Sequence, residues 1–131
     1  MCIRDRITTA GMTRINGVTS ENALEGIINA AKGYITIVSD CMFFGESEGM
    51  PRQQDIPYYR IEDIRGMIDA IFSFPGVDSQ RIYGLGICGG GGYLLSCGQM
   101  DKRLKKIATV SMFNTGAVRR EGFQNSQVDT V

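Results

Sequence analysis

A cysteine framed by glycines lies in the middle of this chain, within Gly84-Leu85-Gly86-Ile87-Cys88-Gly89-Gly90-Gly91-Gly92. The apolar run before it is typical of a buried strand, and Tyr93-Leu94-Leu95 begins a helix-like segment after it. Cys88 is therefore predicted at a sharp turn between a strand and a helix. Gly86 and Gly90 stand two residues before and after it, where larger side chains would collide. This spacing is typical of a nucleophile elbow, with cysteine in place of serine.

The chemistry that this turn could perform is nucleophilic attack by a thiol. The N-terminus of a helix offers free N–H groups and a positive dipole end, which favour a thiolate and later an oxyanion. We therefore predict that Cys88 is a reactive nucleophile; the competing interpretation is a small buried side chain beside a glycine-rich turn. Cys97 falls within a predicted helix and Cys41 lacks a glycine frame, so both are expected to be structural.

Two further motifs compete with this elbow. Gly45-Glu46-Ser47-Glu48-Gly49 spells the G-x-S-x-G string of serine hydrolases, but two prolines follow where the helix should begin, so Ser47 lacks the elbow geometry. Residues 84–89 spell the dinucleotide fingerprint G-x-G-x-x-G. The acidic residue that this fingerprint requires after the next strand is absent, because residues 111–114 read Ser-Met-Phe-Asn.

Composition excludes several classes of function. The 131 residues carry 14 basic and 14 acidic side chains, so no net charge attracts nucleic acid or an acidic membrane surface. No apolar run approaches the ~20 residues that span a bilayer, and no secretory leader is visible. The four cysteines lack zinc-ligand spacing and the chain has no histidine. We therefore predict a cytoplasmic protein with reduced thiols, no metal and no cofactor.

The elements that position Cys88 alternate between strands and helices. Strands are predicted at residues 7–10, 34–39, 81–86 and 106–112, and helices at residues 20–31, 61–71 and from the elbow to about residue 99. This rhythm predicts the α/β class, with a parallel sheet and right-handed crossovers. Residues 1–6 show no such pattern, and we expect them to be a leader that does not belong to the natural protein.

Several runs of this chain together resemble the α/β-hydrolase superfamily, and within it the dienelactone-hydrolase-like proteins. These runs keep the family's order and spacing and are residues 33–40, 45–52, 75–78 and 86–93. The resemblance covers about residues 7–118, which would form a partial α/β-hydrolase domain. Residues 119–131 are expected to be an irregular tail that leads into a missing C-terminal part.

The resemblance implies a fold and an oxyanion site. The chain would hold the third to sixth strands of an eight-stranded fold, placed in the order 4-3-5-6, with helices on both faces of the sheet. The oxyanion would be held by the Gly89 N–H and by a second N–H, from Met12 or Thr13. The loop of residues 45–49 would be structural, in agreement with the interpretation of Ser47 above.

The chain also departs from the family, whose triad acid and histidine follow later strands. We therefore predict part of a cysteine-dependent hydrolase that acts on small ester, lactone or thioester substrates through an acyl-enzyme and is inactive alone. Asn114 is a weak candidate for an orienting group. The alternative is a small α/β binding module whose glycine-rich turn holds an anion or a nucleotide phosphate. Exposed strand edges are expected to make the chain self-associate.

Overall fold

The structure is a computed structural model that describes residues 5–11 and 32–123. Four strands are present there: β1 (Asp5–Gly11), β2 (Tyr34–Ile37), β3 (Ile82–Ile87) and β4 (Lys106–Val110). Three helices accompany them: α1 (Pro57–Ser73), α2 (Gly89–Met100) and α3 (Thr115–Glu121). None of the helices in this part of the chain is long and apolar enough to cross a membrane.

The four strands form one sheet in the order β2-β1-β3-β4, and every neighbouring pair is parallel. The prediction of the α/β class with a parallel sheet is therefore confirmed. The register places Ala10 beside Gly86 and Gly11 beside Ile87, and Ile87 also lies beside Val110 of β4. The carboxyl ends of the three strands β1, β3 and β4 consequently meet at one edge of the sheet, where Cys88 follows β3.

The hydrophobic core lies between α1, α2 and the sheet. Its fully buried side chains are Ile68, Ile82, Leu94 and Cys97. Successive residues of a strand face opposite sides, so Ile82, Gly84 and Gly86 of β3 face this core while Tyr83, Leu85 and Ile87 face away and are half-buried. Helices α1 and α2 contact each other as well as the sheet, so within the described residues they cover one of its faces. The prediction of helices on both faces depends on residues 20–31, which lie outside the described residues.

Several predicted boundaries differ from the observed ones. Strand β1 begins at Asp5 rather than residue 7, so Asp5 and Arg6 of the expected leader pair with Tyr34 and Ile35. Backbone pairing does not depend on side-chain type, which is why sequence pattern missed it. Helix α1 begins at Pro57, four residues before its first predicted apolar position, because proline fits the first turn of a helix, where an N–H has no partner.

The expected irregular tail overlaps a helix. Residues 119–121 belong to α3, which begins at Thr115 after the N-cap residue Asn114. The Asn114 side chain accepts a hydrogen bond from the Ala117 N–H at 3.0 Å, and Arg119 binds Asp55 from 64 residues away. These contacts, rather than apolar periodicity, stabilise α3, so the prediction for residues 119–121 was wrong.

Candidate active site

Cys88 occupies the turn between β3 and α2, as the glycine spacing predicted. Its backbone angles are φ 57° and ψ −132°, which lie outside the regions that non-glycine residues normally adopt. Such a conformation costs about 1–3 kcal/mol and persists only where its surroundings enforce it. The thiol is half-buried, so reagents can reach it from solvent. A strained residue between a strand and a helix is the geometry of a nucleophile elbow.

Close backbone packing enforces this turn. A Cβ atom on Gly86 would lie 2.6 Å from the Gly91 Cα and 3.1 Å from the Gly90 carbonyl oxygen, which is too close for any side chain. A Cβ atom on Gly91 would in turn lie 2.6 Å from the Met112 Cβ. The sequence singled out Gly86 and Gly90, and both are buried at the turn. It did not single out Gly91, because nothing in the sequence distinguishes this residue from the other three glycines of the run.

Helix α2 presents an unused backbone donor beside Cys88. The Cys88 N–H donates to the Val110 carbonyl at 2.9 Å, and the Gly91 N–H donates to the Cys88 carbonyl at 3.0 Å. The Gly89 N–H has no partner among the described residues. The helix begins at Gly89 and not at Tyr93, so this N–H belongs to its first turn and lies at the positive end of its dipole. Met12 and Thr13, the predicted second donors, lie outside the described residues.

The segment after β4 forms one wall of the elbow. Ser111 has φ 50°, an unusual value for a non-glycine residue, and it directly follows the strand. Met112 packs against Gly91. A Cβ atom on Gly92 would lie only 2.6 Å from the Phe113 carbonyl oxygen. Sequence reasoning gave these residues no role, because their importance arises from contacts with the glycine run. Asn114, the predicted orienting group, acts here as the N-cap of α3.

The other described cysteines are in different surroundings. Cys41 and Cys97 are both buried, whereas Cys88 is half-buried. Burial, together with the nearby charge of Asp101, raises the pKa of the Cys97 thiol to about 11. A thiol must ionise to act as a nucleophile, so Cys97 is inert near neutral pH. Cys2 lies outside the described residues.

Ser47 belongs to a closed surface loop rather than to an elbow. Its hydroxyl donates to the Asp40 carbonyl at 2.8 Å, and the Asp40 carboxylate accepts from the Glu46 N–H at 2.9 Å. The Arg52 guanidinium donates to the carbonyls of Gly45 and Ser47 and so closes the loop. Phe43 anchors it, being buried and in edge contact with the Tyr59 ring at 5.2 Å between centroids. These contacts support the prediction that the loop is structural.

Comparison with known proteins identifies the family of this chain. The model of the family described as acetyl xylan esterase (AXE1) matches residues 10–120. The chain belongs to this family. The match confirms the resemblance to α/β hydrolases and to dienelactone-hydrolase-like proteins. It favours a hydrolase over the binding module that the glycine-rich turn left open.

Individual relatives are considerably longer than this AXE1-family chain. The uncharacterized protein YcjY of Escherichia coli is 44% identical over 97 residues, which are 74% of this chain and 32% of the relative. The thiohydrolase AneE of Aspergillus aculeatus is 32% identical over 89 residues, 68% of this chain and 28% of the relative. The crystal structure of the hypothetical protein PA2218 from Pseudomonas aeruginosa superposes with a TM-score of 0.87 at 31% identity, covering 93% of this chain and 38% of that one. The chain thus spans about a third of the length of these relatives.

Proposed function

We propose that this chain carries the nucleophile of an AXE1-family hydrolase that cleaves ester, lactone or thioester bonds through an acyl group on Cys88. The strained backbone of Cys88, with φ 57° at the strand-to-helix turn, is the observation that carries the proposal. The family's description names an esterase, and one relative is named a thiohydrolase, which supports acyl substrates of both kinds. We further propose that β1 to β4 correspond to the third to sixth strands of the complete fold, since the observed order β2-β1-β3-β4 then becomes 4-3-5-6.

The reaction begins when the Cys88 thiolate attacks the carbonyl carbon of the substrate. A carbon–sulfur bond forms while the carbonyl π electrons move to oxygen, and the Gly89 N–H donates to that oxyanion. Met12 or Thr13 is the proposed source of the second donor. The oxyanion then re-forms the carbonyl and breaks the carbon–oxygen or carbon–sulfur bond of the substrate. The released alkoxide or thiolate takes a proton from solvent and departs; in a lactone it stays attached to the acyl group as a hydroxyl. Water finally adds to the acyl thioester, which releases the carboxylic acid and restores the thiol.

The second half of this reaction needs a general base, and the chain contains no histidine. A positioned base contributes about 10²–10⁴-fold to such a step. We therefore expect the chain to acylate once at Cys88 and to release the acyl group slowly. The substrate is proposed to be a small molecule.

Two experiments on the 131-residue chain test the proposal. Brief treatment with iodoacetamide near neutral pH, followed by peptide mapping, should label Cys88 before Cys41 and Cys97; Cys2 is left out of the comparison. A p-nitrophenyl ester should then give one equivalent of p-nitrophenolate and an acyl mass on the Cys88 peptide. Cys88→Ala should abolish this burst, while Cys97→Ala should retain it.

The same experiments can contradict the proposal. Earlier labelling of Cys41 or Cys97, or labelling of Cys88 only after unfolding, would remove Cys88 as the nucleophile. Rapid multiple turnovers that disappear in Cys88→Ala would preserve Cys88 but show that groups within this chain suffice as the base.

A further inference from the structure

A second group of polar contacts surrounds the carboxylate of Asp55, which lies two residues before α1. Its Oδ1 atom accepts from Arg60 Nε at 2.8 Å, and its two oxygens lie 3.3 and 3.2 Å from the Tyr93 hydroxyl. The Arg119 guanidinium donates to Oδ2 and, at 3.1 Å, to the Asp55 backbone carbonyl. Arg60, Tyr93 and Arg119 belong to α1, α2 and α3 respectively. One carboxylate therefore joins all three described helices.

Tyr93 connects this group to the elbow. The first four residues of α2 are glycines, so Tyr93 supplies the first side chain by which the helix can be held. Tyr93 is 5% exposed, and its hydroxyl donates to the Asp55 carboxylate, with 3.2 Å between the hydroxyl oxygen and Oδ2. Thr115 begins α3, directly after the segment that packs on Gly91 and Gly92. Asp55 binds both Tyr93 of α2 and Arg119 of α3, so it links the elbow helix to the helix that follows this wall.

We propose that Asp55 is a positioning residue for the nucleophile, acting through Tyr93 to hold the elbow helix in register with Cys88. This inference rests on the proposed function of Cys88. The strained angles of Cys88 require surroundings that enforce them. The glycines allow close backbone packing at the turn but carry no side chain that could anchor α2 to the rest of the molecule. The Asp55–Tyr93 hydrogen bond fixes the helix, and with it the Gly89 N–H, at a constant distance from the thiol. Loss of that bond lets the first turn of α2 move relative to Cys88.

A purely stabilising role makes a different prediction. Asp55 also pairs with Arg60 and Arg119, and those ion pairs would join α1 to α3 without any effect on the elbow. The two roles are separated by Tyr93, because only the positioning role passes through its hydroxyl. Asp69 supplies a matched control, since it is an aspartate of α1 that pairs with Arg103 and does not contact Tyr93.

The test compares Asp55→Asn, Tyr93→Phe, their double variant and Asp69→Asn in the 131-residue chain, at equal fractions of folded protein. The readout is the second-order rate constant of Cys88 alkylation by iodoacetamide, followed by peptide mapping. Asp55→Asn and Tyr93→Phe should each lower it at least about fivefold, because small displacements at a reacting centre have large effects on rate. The double variant should show no further loss, and Asp69→Asn should match the unmodified chain. The melting temperature should fall further in the double variant than in Tyr93→Phe, because Asp55→Asn also weakens the contacts of residue 55 with Arg60 and Arg119.

Amide hydrogen exchange provides a readout that does not depend on the reactivity of Cys88. The Cys88 and Gly91 amides, which donate to the Val110 and Cys88 carbonyls, should exchange faster in Asp55→Asn and Tyr93→Phe but not in Asp69→Asn. Failure of Cys88 to label first in the unmodified chain would remove the proposed function, whereas faster exchange would still show that Asp55 positions the elbow. Unchanged exchange and alkylation in Asp55→Asn would overturn the inference alone. The inference would also be overturned if Asp55→Asn lowered the rate constant of Cys88 alkylation by the same factor in the Tyr93→Phe variant as in the unmodified chain.

Discussion

Gly86 lies two residues before Cys88 and touches the backbone of the elbow helix. Gly86→Ala would place a methyl group 2.6 Å from the Gly91 Cα, so either β3 or α2 must move. We expect this variant to lose about 1–3 kcal/mol of unfolding free energy, as is usual for overpacked sites. Cys88 alkylation should slow as well, because the shift occurs at the turn itself. Urea unfolding and peptide mapping measure the two effects.

Gly66→Ala is the control for this substitution. Gly66 is an exposed residue within α1, and a Cβ atom there would meet nothing within 4 Å. Alanine is the better helix former, so this variant should gain about 0.5–1 kcal/mol. If Gly86→Ala were as harmless as Gly66→Ala, the close approach of β3 and α2 would not be what enforces the elbow.

At the scale of single elements, the C-terminal end of α2 depends on one carboxylate. Asp101 is the C-cap residue, and its buried carboxylate accepts hydrogen bonds from the Arg103 backbone N–H at 3.0 Å and from the Arg103 guanidinium. The hydrogen bonds to Arg103 lower the pKa of Asp101 below its ordinary value of 3.8, although burial opposes them. A carboxyl group whose pKa is lowered by folding stabilises the folded state above its unfolded pKa. That contribution is lost as the pH falls through the folded pKa.

Asp101→Asn should therefore unfold at lower urea concentration than the unmodified chain at pH 7, by about 1–3 kcal/mol. The difference should diminish as the pH falls from about 4, near the unfolded pKa of an aspartate, through the lower pKa of folded Asp101, where the carboxylate of the unmodified chain becomes protonated. Urea unfolding at pH 7 and below pH 4 measures it. Glu62→Gln removes an exposed pair with Arg65 on α1 and should change little at either pH. A difference that stayed constant with pH would show that the carboxylate charge is not what Arg103 recognises.

Only some of the helices and turns could be predicted from the pattern of the sequence. Helix α1 and the elbow were predictable because their signals are local: isoleucines at helical spacing, and glycines at fixed distances from Cys88. Helix α3 was missed because it has seven residues and depends on Arg119, whose partner Asp55 is 64 residues away. Asp55 itself carried no signal, since its partners lie 5, 38 and 64 residues distant. The sequence pattern therefore predicted the turn at Cys88 but not the contacts that surround it.

At the scale of the whole molecule, the described sheet is apolar on a face that α1 and α2 do not cover. Tyr83 and Leu85 of β3 are half-buried there, and Val110 of β4 is 53% exposed. Within the described residues β4 pairs only with β3, which leaves a row of N–H and C=O groups along its outer edge. An apolar strand with an open edge pairs readily with other chains. Self-association of the 131-residue chain therefore stays our prediction.

Light scattering coupled to size-exclusion chromatography should find this chain in oligomers or aggregates at micromolar concentration. Val110→Lys should reduce their size, because a charged side chain on an edge strand opposes pairing with another chain. Burying that charge on the uncovered face of the sheet would also be unfavourable. Phe74→Lys is the matched control: Phe74 is 57% exposed but is the C-cap residue of α1 and belongs to no strand, so its replacement should leave edge pairing unchanged. Equal dispersal by both variants would indicate general hydrophobic association instead of edge pairing. A monodisperse monomer with a cooperative thermal transition would contradict the prediction outright, since the β4 edge would then be protected by residues of this same chain.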